Sequence, residues 1–319
     1  MKPSVKKVLK SGFFLLLLTL ILLYPHFSLY YAATGLSLWF DRMVPVLFPF
    51  MLLSTIMIRQ NLTEDFAGIL YPILGPLFRI SRNCVYCILL GFLCGFPMGA
   101  KVIAQLYERK KLNHREAEFL LAFCNNIGPV YFLGFLLPTI GVYRTGKVPI
   151  FLLGMYGIPL LYGLFLRFTG FLLPSGHFKM WGNKAIKKAE NTEPFTLSLE
   201  GAMQSSIAGI TTLGGYMILF NLLNLIPHAL SLLFSNVEGE LLLSSINCMV
   251  EITSGISRIG SSFPLIVLIL LPIGGLSCIA QTASVLKDTN LSMSRYLIHK
   301  TIQTGLTASY YLFFRFFLF

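Results

Sequence analysis

Two adjacent side-chain amides lie within an apolar stretch of this sequence, directly before a helix-breaking pair. Asn125 and Asn126 are followed by Gly128 and Pro129. Proline removes a backbone donor and glycine allows non-helical angles, so we expect the helix to break here and free backbone carbonyls. Those carbonyls and the two amides can line a cavity and offer donors and acceptors to a ligand. Hydrogen bonding between neighbouring helices, a common role of asparagine in membrane bundles, is the alternative.

A second group is centred on Glu251, a carboxylate in an otherwise apolar segment. A charged side chain at the centre of a membrane helix costs about 2.5–3.5 kcal/mol, so Glu251 is a functional candidate by default. We expect it to carry a coupling proton or to bind a coupling cation, and structural pairing with Arg258 is the competing interpretation. The small and polar residues assigned to the same group are Thr253, Gly255, Gly274, Gly275 and Gln281.

A third group combines small residues with a cation. Gly95, Pro97 and Gly99 interrupt an apolar stretch, and Lys101 follows them. Glycine permits close backbone approach, and the exposed N–H groups at the start of a half-helix attract anions, as does a lysine ammonium. The pattern therefore predicts a broken hairpin that contributes to an anion site. A lysine that extends to the membrane surface with its charge in water is the alternative interpretation.

The composition indicates which elements position these groups. The chain has 319 residues, of which 55% are hydrophobic and only 12% charged, and its mean hydropathy is +0.73. Soluble domains usually carry about 25% charged residues, so a soluble globular protein is excluded. Long apolar runs without β-barrel alternation predict an all-α polytopic integral membrane protein. A spanning helix needs about 20 residues, which leaves room for roughly eight to ten membrane segments.

Charge and cysteine content exclude further classes. The formal net charge is +12, and no nucleic-acid-binding motif accompanies it, so we assign the excess to cytoplasmic loops and anionic lipid head groups of the bilayer. All six cysteines fall in apolar stretches and are typical of packing residues rather than of a disulfide framework or a metal site. The sequence holds no nucleophile elbow, Walker loop or HExxH motif, so we expect neither an enzyme nor a cofactor.

The apolar runs and charged turns divide the chain into four regions. We expect a signal anchor and interfacial helix over residues 1–42, with the amino terminus in the cytoplasm. A first half over 43–173 and a second half over 200–319 are joined by a basic cytoplasmic linker over 174–199.

The two halves are predicted to be related. A shift of 179 positions places Gly95 on Gly274, and it also aligns the polar turns that follow. Each half is predicted to hold one broken or re-entrant helical hairpin, at 85–104 and at 262–286. Such interrupted segments at matching positions indicate the binding site of a secondary transporter.

Two motifs in combination resemble a known family. They are GFLCGFPMGAK at 91–101 and LLAFCNNIGP at 120–129. Both are similar to the pattern of the YlbJ family of sporulation integral membrane proteins, although Cys94 stands where serine is usual there. The sequence around Glu251 and around Gly274 also resembles that family.

The resemblance implies a Gate, or nucleoside-recognition, domain and a role in endospore formation. The implied activity is movement of dipicolinic acid from the mother cell across the outer forespore membrane. Dipicolinate is a planar dianion at neutral pH, which suits a site of Lys101, helix N-termini, asparagine amides and a carboxylate. Transport of a nucleoside or another small molecule is the alternative within this class. A non-transporting scaffold for sporulation membrane complexes is the alternative from another class.

Overall fold

The computed structural model describes residues 5–142, 146–169, 193–231 and 237–318, and in these ranges it is helical, without a β-strand. This confirms the all-α prediction. The helices are α1 (Val5–Leu23), α2 (Pro25–Arg59), α3 (Thr63–Ala67), α4 (Tyr71–Phe78), α5 (Arg82–Leu93), α6 (Met98–Glu108), α7 (His114–Leu121), α8 (Pro129–Thr139), α9 (Val148–Phe168), α10 (Phe195–Leu223), α11 (Leu225–Ser231), α12 (Val237–Val250), α13 (Ile252–Ile259), α14 (Pro264–Leu270), α15 (Gly275–Leu286) and α16 (Met293–Leu318).

Four helical stretches among the described residues are long and apolar enough to cross a membrane. They are α2, α9, Phe195–Leu230 and Pro264–Leu286, and the bent pair of α4 and α5 makes five if it counts as one span. The prediction of eight to ten membrane segments is therefore not confirmed. Some of the other apolar runs are divided into short helices, such as the 12 residues of α5 and the 11 of α6, whereas α1 and α16 are long enough but too polar or too charged. A span needs about 20 residues.

Helix α2 continues past the position where a separate interfacial helix was expected to end. Residue 42 lies inside this single stretch of 35 residues. The stretch passes through a π-helical turn at Leu38–Met43, which accommodates an extra residue without ending the helix. The indole N–H of Trp39 donates to the Ile210 carbonyl oxygen at 2.8 Å, which holds α2 against α10. The interfacial helix is thus part of α2, while the predicted domain boundaries stay predictions.

The first predicted break separates α5 from α6. The chain leaves the helix after Leu93 and returns to it at Met98, and the two helices pack against each other. Gly95, inside the break, has φ +96°, a left-handed angle that glycine adopts without the strain of a β-carbon. The prediction of a broken hairpin over 85–104 is confirmed.

The second predicted hairpin is wrong in geometry. A break does separate α14 from α15, as expected, but together they form one stretch of 23 residues over Pro264–Leu286. Helix α14 has only seven residues and packs along α16 instead of folding back on α15. The segment over 262–286 is therefore an interrupted helix.

The predicted linker over 174–199 lies outside the described residues up to position 192. From Glu193 onwards, the chain is held against the end of α2. The Arg59 guanidinium forms a salt bridge with the Glu193 carboxylate at 3.0 Å, and the Gln60 amide donates to the Ser198 hydroxyl at 2.6 Å. These contacts position the first turn of α10.

The buried side chains form two large hydrophobic clusters, and each one takes residues from both halves of the sequence. The first cluster surrounds α5, α6 and α7 and includes Leu213 and Met217 of α10. The second surrounds α8, α12, α13 and α14 and includes Tyr311 of α16. The two halves are therefore packed into one another, and the breaks in the helices lie where the clusters meet.

One pair of helix starts follows the repeat that the sequence predicts. Helix α7 begins at His114 and α16 begins at Met293, 179 positions later. The residue before each helix caps it. The Asn113 side chain accepts the backbone N–H three residues on at 2.9 Å, and the Ser292 hydroxyl does the same at 3.3 Å. The same capped turn thus recurs at the same spacing.

Candidate functional site

Four helix N-termini adjoin one small cavity at the junction of the two hydrophobic clusters. The residues just before α6, α8, α13 and α15 line it: Gly95 and Phe96, Gly128, Glu251, and Gly274. The N-terminus of a helix carries a partial positive charge, so this arrangement favours negative charge near the cavity. The cavity volume is ≈ 50 Å³, enough for a few water molecules but too small for an aromatic solute.

The cavity brings together predicted residues from all three sequence groups. These lining residues are Gly95, Gly128, Glu251, Thr253, Gly274 and Gln281. Apolar side chains of both clusters and the Tyr131 ring complete the wall. Tyr131 is 8% exposed, and its hydroxyl lies close to the side chain of Thr253, which also lines the cavity.

Glu251 caps a helix instead of lying in the middle of one. Its carboxylate accepts the backbone N–H groups of Ser254 at 2.7 Å and Thr253 at 3.2 Å, and it is 2% exposed. The side-chain amide of Asn221 donates to the same carboxylate at 3.3 Å. The sequence interpretation missed this helix break because no glycine or proline marks it. The capping contacts explain how a carboxylate is accommodated at this depth.

The competing interpretation, a pairing of Glu251 with Arg258, is wrong. Arg258 donates to the Tyr31 hydroxyl at 3.1 Å, and its guanidinium lies 4.5 Å from the centre of the Tyr31 ring. Arg258 is therefore engaged with α2, which leaves the Glu251 carboxylate to amide donors and to the cavity.

Asn125 connects the first half to the second. Its amide group donates to the Thr282 hydroxyl at 3.1 Å and to the Tyr296 hydroxyl at 3.0 Å. Its carbonyl oxygen accepts the Ala100 N–H, in the first turn of α6, at 3.3 Å. The alternative interpretation, hydrogen bonding between helices, thus describes Asn125, which is fully buried and does not line the cavity.

Asn126 contacts a buried cation that the sequence interpretation missed. The Lys300 ammonium of α16 donates to the Asn126 amide oxygen at 3.0 Å and to the Gln303 amide oxygen at 3.2 Å. It also lies 5.1 Å from the centre of the Phe96 ring. Lys300 is 1% exposed. The cation nearest the break is therefore contributed by the opposite half of the chain.

A periodic signal for this cation was present in the sequence. Tyr296, Lys300, Gln303 and Thr307 recur every three to four residues, which places them on one face of α16, and all four are buried. A polar stripe on an otherwise apolar helix marks a face that meets other polar groups.

Lys101, the cation that the sequence interpretation preferred, faces a different element. Its ammonium donates to the Ser205 carbonyl oxygen of α10 at 3.4 Å, and it is absent from the cavity lining. The physical reason is helical geometry. Lys101 lies one turn into α6, on the face that packs towards α10, while the cavity adjoins the residues before α6.

Close backbone approach at glycine holds the first hairpin against the Asn125 break. A β-carbon at Gly99 would overlap the Cys124 carbonyl oxygen, and the same is true at Gly91. A β-carbon at Gly95 would lie 2.8 Å from the Gly128 nitrogen. The predicted role of these small residues in close approach is thus confirmed.

The other predicted site residues do not line the cavity but support the helices around it. Pro97 and Pro129 lie at the starts of α6 and α8, where a missing N–H leaves no helical bond unmade. Gly255 packs against Cys248 of α12, and Gly275 faces the last carbonyl groups of that helix. Among the described residues there is no cluster of three or more His, Cys, Asp or Glu side chains that could hold a metal ion.

Comparison with known proteins finds a family match within the first half of the chain. Residues 40–144 match the Gate family, whose description is nucleoside recognition. This similarity covers 105 of the 319 residues. The matched region includes the first hairpin and the Asn125 break, while Glu251 and Lys300 lie beyond it.

A curated relative extends the similarity over almost the whole chain. It is the sporulation integral membrane protein YlbJ of Bacillus subtilis (strain 168), 26% identical over an alignment that covers 94% of this chain and 80% of the relative. The resemblance expected from the two motifs is therefore confirmed. No solved structure matches the chain.

Proposed function

We propose that this protein is a transporter-like membrane protein of endospore formation that moves a small anionic solute. The observation that carries the proposal is the convergence of four helix N-termini on one cavity, with residues from both halves in its wall. The binding sites of many transporters are formed by broken helices that meet near the middle of the membrane. The similarity to a sporulation membrane protein supports the cellular setting.

Dipicolinic acid, moved across the outer forespore membrane, is the solute we propose. Its two carboxylates suit helix N-termini, and its planar ring suits the apolar wall formed by Phe96, Tyr131 and Leu213. The cavity of ≈ 50 Å³ is closed to such a molecule, so solute entry requires the hairpin of α5 and α6 to move against α14 and α15.

Coupling is assigned to Glu251. Among the described residues that line the cavity, Glu251 alone carries a carboxyl group. A proton or a cation bound there cancels a charge that would repel an anionic solute. The protein performs no chemical conversion in this proposal, and its amino terminus, with Lys2, Lys6 and Lys7, lies in the cytoplasm.

A nucleoside carrier is the second candidate, and the description of the Gate family favours it. A nucleoside is neutral, so this candidate makes no use of the positive helix termini. Instead it uses the amide and hydroxyl groups near the cavity, such as Gln281 and Thr253.

The test is solute uptake into vesicles that contain the purified full-length protein. Dipicolinate and uridine are offered separately, and vesicles without protein provide the background. The same chain is expressed in a spore-forming host deleted for its YlbJ relative, and the dipicolinate content of the spores is measured.

We expect dipicolinate uptake above background and restored spore content. Uridine uptake without dipicolinate uptake would favour the nucleoside carrier. Restored sporulation without uptake of either solute would favour the scaffold, and it would contradict transport.

A further inference from the structure

The ammonium of Lys300 is a buried charge without a carboxylate partner among the described residues. It is 1% exposed, and none of the carboxylates in the described part of the chain lies within salt-bridge distance of it. A buried charge is costly unless it is paired. Its neighbours are two neutral amide oxygens, of Asn126 and Gln303, and the face of Phe96.

These neighbours hold the ammonium in a fixed place without neutralising it. The Asn126 amide group donates to the Phe123 carbonyl oxygen at 2.7 Å, and the Gln303 amide group donates to the Ala122 carbonyl oxygen. Both carbonyls lie at the break after α7. Each amide is thereby oriented with its own oxygen towards Lys300, so the positions of two of the three ammonium donors are set.

The third donor is available to a ligand. An ammonium has three N–H groups, and two of them reach acceptors in the described ranges. Phe96 separates the ammonium from the cavity, because its ring lies 5.1 Å from the nitrogen and also lines the cavity wall. A displacement of this one aromatic side chain would join the ammonium to the cavity.

We infer that Lys300 is the residue that selects carboxylate-bearing solutes, and that Phe96 is the barrier between it and the cavity. A solute carboxylate accepts the third N–H of Lys300 once the Phe96 ring has moved aside. This inference rests on the proposed transport function and deepens it by naming the chemical group of the solute that is recognised. The uncompensated charge of Lys300 then has a counterion in the solute-bound state.

The decisive variant is Asn126→Asp, which places a built-in carboxylate 3.0 Å from the ammonium. If Lys300 serves only to stabilise the bundle, the new ion pair leaves solute binding unchanged, whatever the loss of the hydrogen bond from residue 126 to the Phe123 carbonyl oxygen does to thermal stability. If Lys300 receives the solute, the new carboxylate competes with it. Asn290→Asp, the same change at an exposed residue, is the matched control.

The measurement is dipicolinate binding to full-length protein in lipid nanodiscs, with the unfolding temperature recorded for each variant. We expect Asn126→Asp to weaken binding by about 10- to 100-fold, the usual value of one hydrogen bond to a charged group, and Asn290→Asp to leave it unchanged. Lys300→Gln should weaken dipicolinate binding by a similar factor, and Lys300→Arg, which keeps the charge, should retain part of the affinity. These two variants decide the question if Asn126→Asp does not fold.

Failure of the inference is distinguishable from failure of transport. Folded Asn126→Asp or Lys300→Gln protein that binds dipicolinate like the wild type overturns the role of Lys300 and leaves transport intact. Wild-type protein that binds uridine but no dipicolinate also overturns it while transport stands. Wild-type protein that neither binds nor moves either solute overturns both.

Discussion

The Lys300 ammonium and the Asn126 amide oxygen lie 3.0 Å apart, although 174 positions separate the two residues in the sequence. The contact joins the last helix to the break in the first half. Asn125 makes a parallel connection to Tyr296, one turn earlier on α16. Side chains of the second half therefore hold the unwound segment after α7. Any movement of the helices around the cavity must either keep these contacts or exchange them for others.

Glu251→Gln should abolish solute movement while the protein remains folded. Glutamine keeps the size of the side chain and one acceptor for the Ser254 N–H, but it cannot gain or lose a proton. We expect uptake into vesicles to fall to the background of protein-free vesicles. Glu200→Gln is the matched control, because Glu200 is exposed on α10 and lies away from the cavity. Normal uptake by Glu251→Gln would contradict the assignment of coupling to this residue.

Asn125→Ala should destabilise the bundle more than it changes solute recognition. The change leaves the Ala100 N–H and the Thr282 and Tyr296 hydroxyls without this partner, at about 1–3 kcal/mol for each group that finds no replacement. We expect a lower thermal unfolding temperature in detergent. Asn290→Ala, at an exposed position, provides the comparison and should leave that temperature unchanged. Equal unfolding temperatures for the two variants would show that this network does not stabilise the fold.

Gly99→Ala should prevent the close approach of α6 to the Asn125 break. The new methyl group overlaps the Cys124 carbonyl oxygen, and backbone cannot move aside as a flexible side chain can. Overpacking of this kind costs about 1–3 kcal/mol or more. Thermal unfolding and the yield of folded protein report the loss. Gly215→Ala is the internal control, because no atom lies within 4 Å of its added methyl group, and it should be neutral or stabilising.

Thiol labelling should report opening of the cavity. All six cysteines are free and buried, so a maleimide should label none of them in the closed protein and all of them after denaturation. Cys94 and Cys278 line the cavity, and the other four do not. A small methanethiosulfonate reagent should therefore modify these two first in vesicles, and dipicolinate should slow the modification. Equal labelling of Cys84 and Cys87 would indicate general unfolding instead of opening.

Local sequence patterns were enough to predict the breaks that contain glycine and proline. The break at Gly95 and the one before Pro129 lie where expected, because these residues alter the backbone whatever surrounds them. The break at Glu251 was missed, since there a carboxylate caps the new helix and composition alone predicts continuation. The number of spans was overestimated for the opposite reason. Hydropathy records apolar length, and it does not reveal that a run is split into short helices.

The sequence by itself determined the class of protein and the helical breaks at glycine and proline. These follow from side-chain chemistry and from local backbone preference. Only the tertiary structure decided which polar group each buried cation contacts. It directs Lys101 towards α10 and Arg258 towards Tyr31, and it brings Lys300 to Asn126. The reason is that helical direction and packing decide which side chains meet, and these depend on contacts between residues distant in the chain.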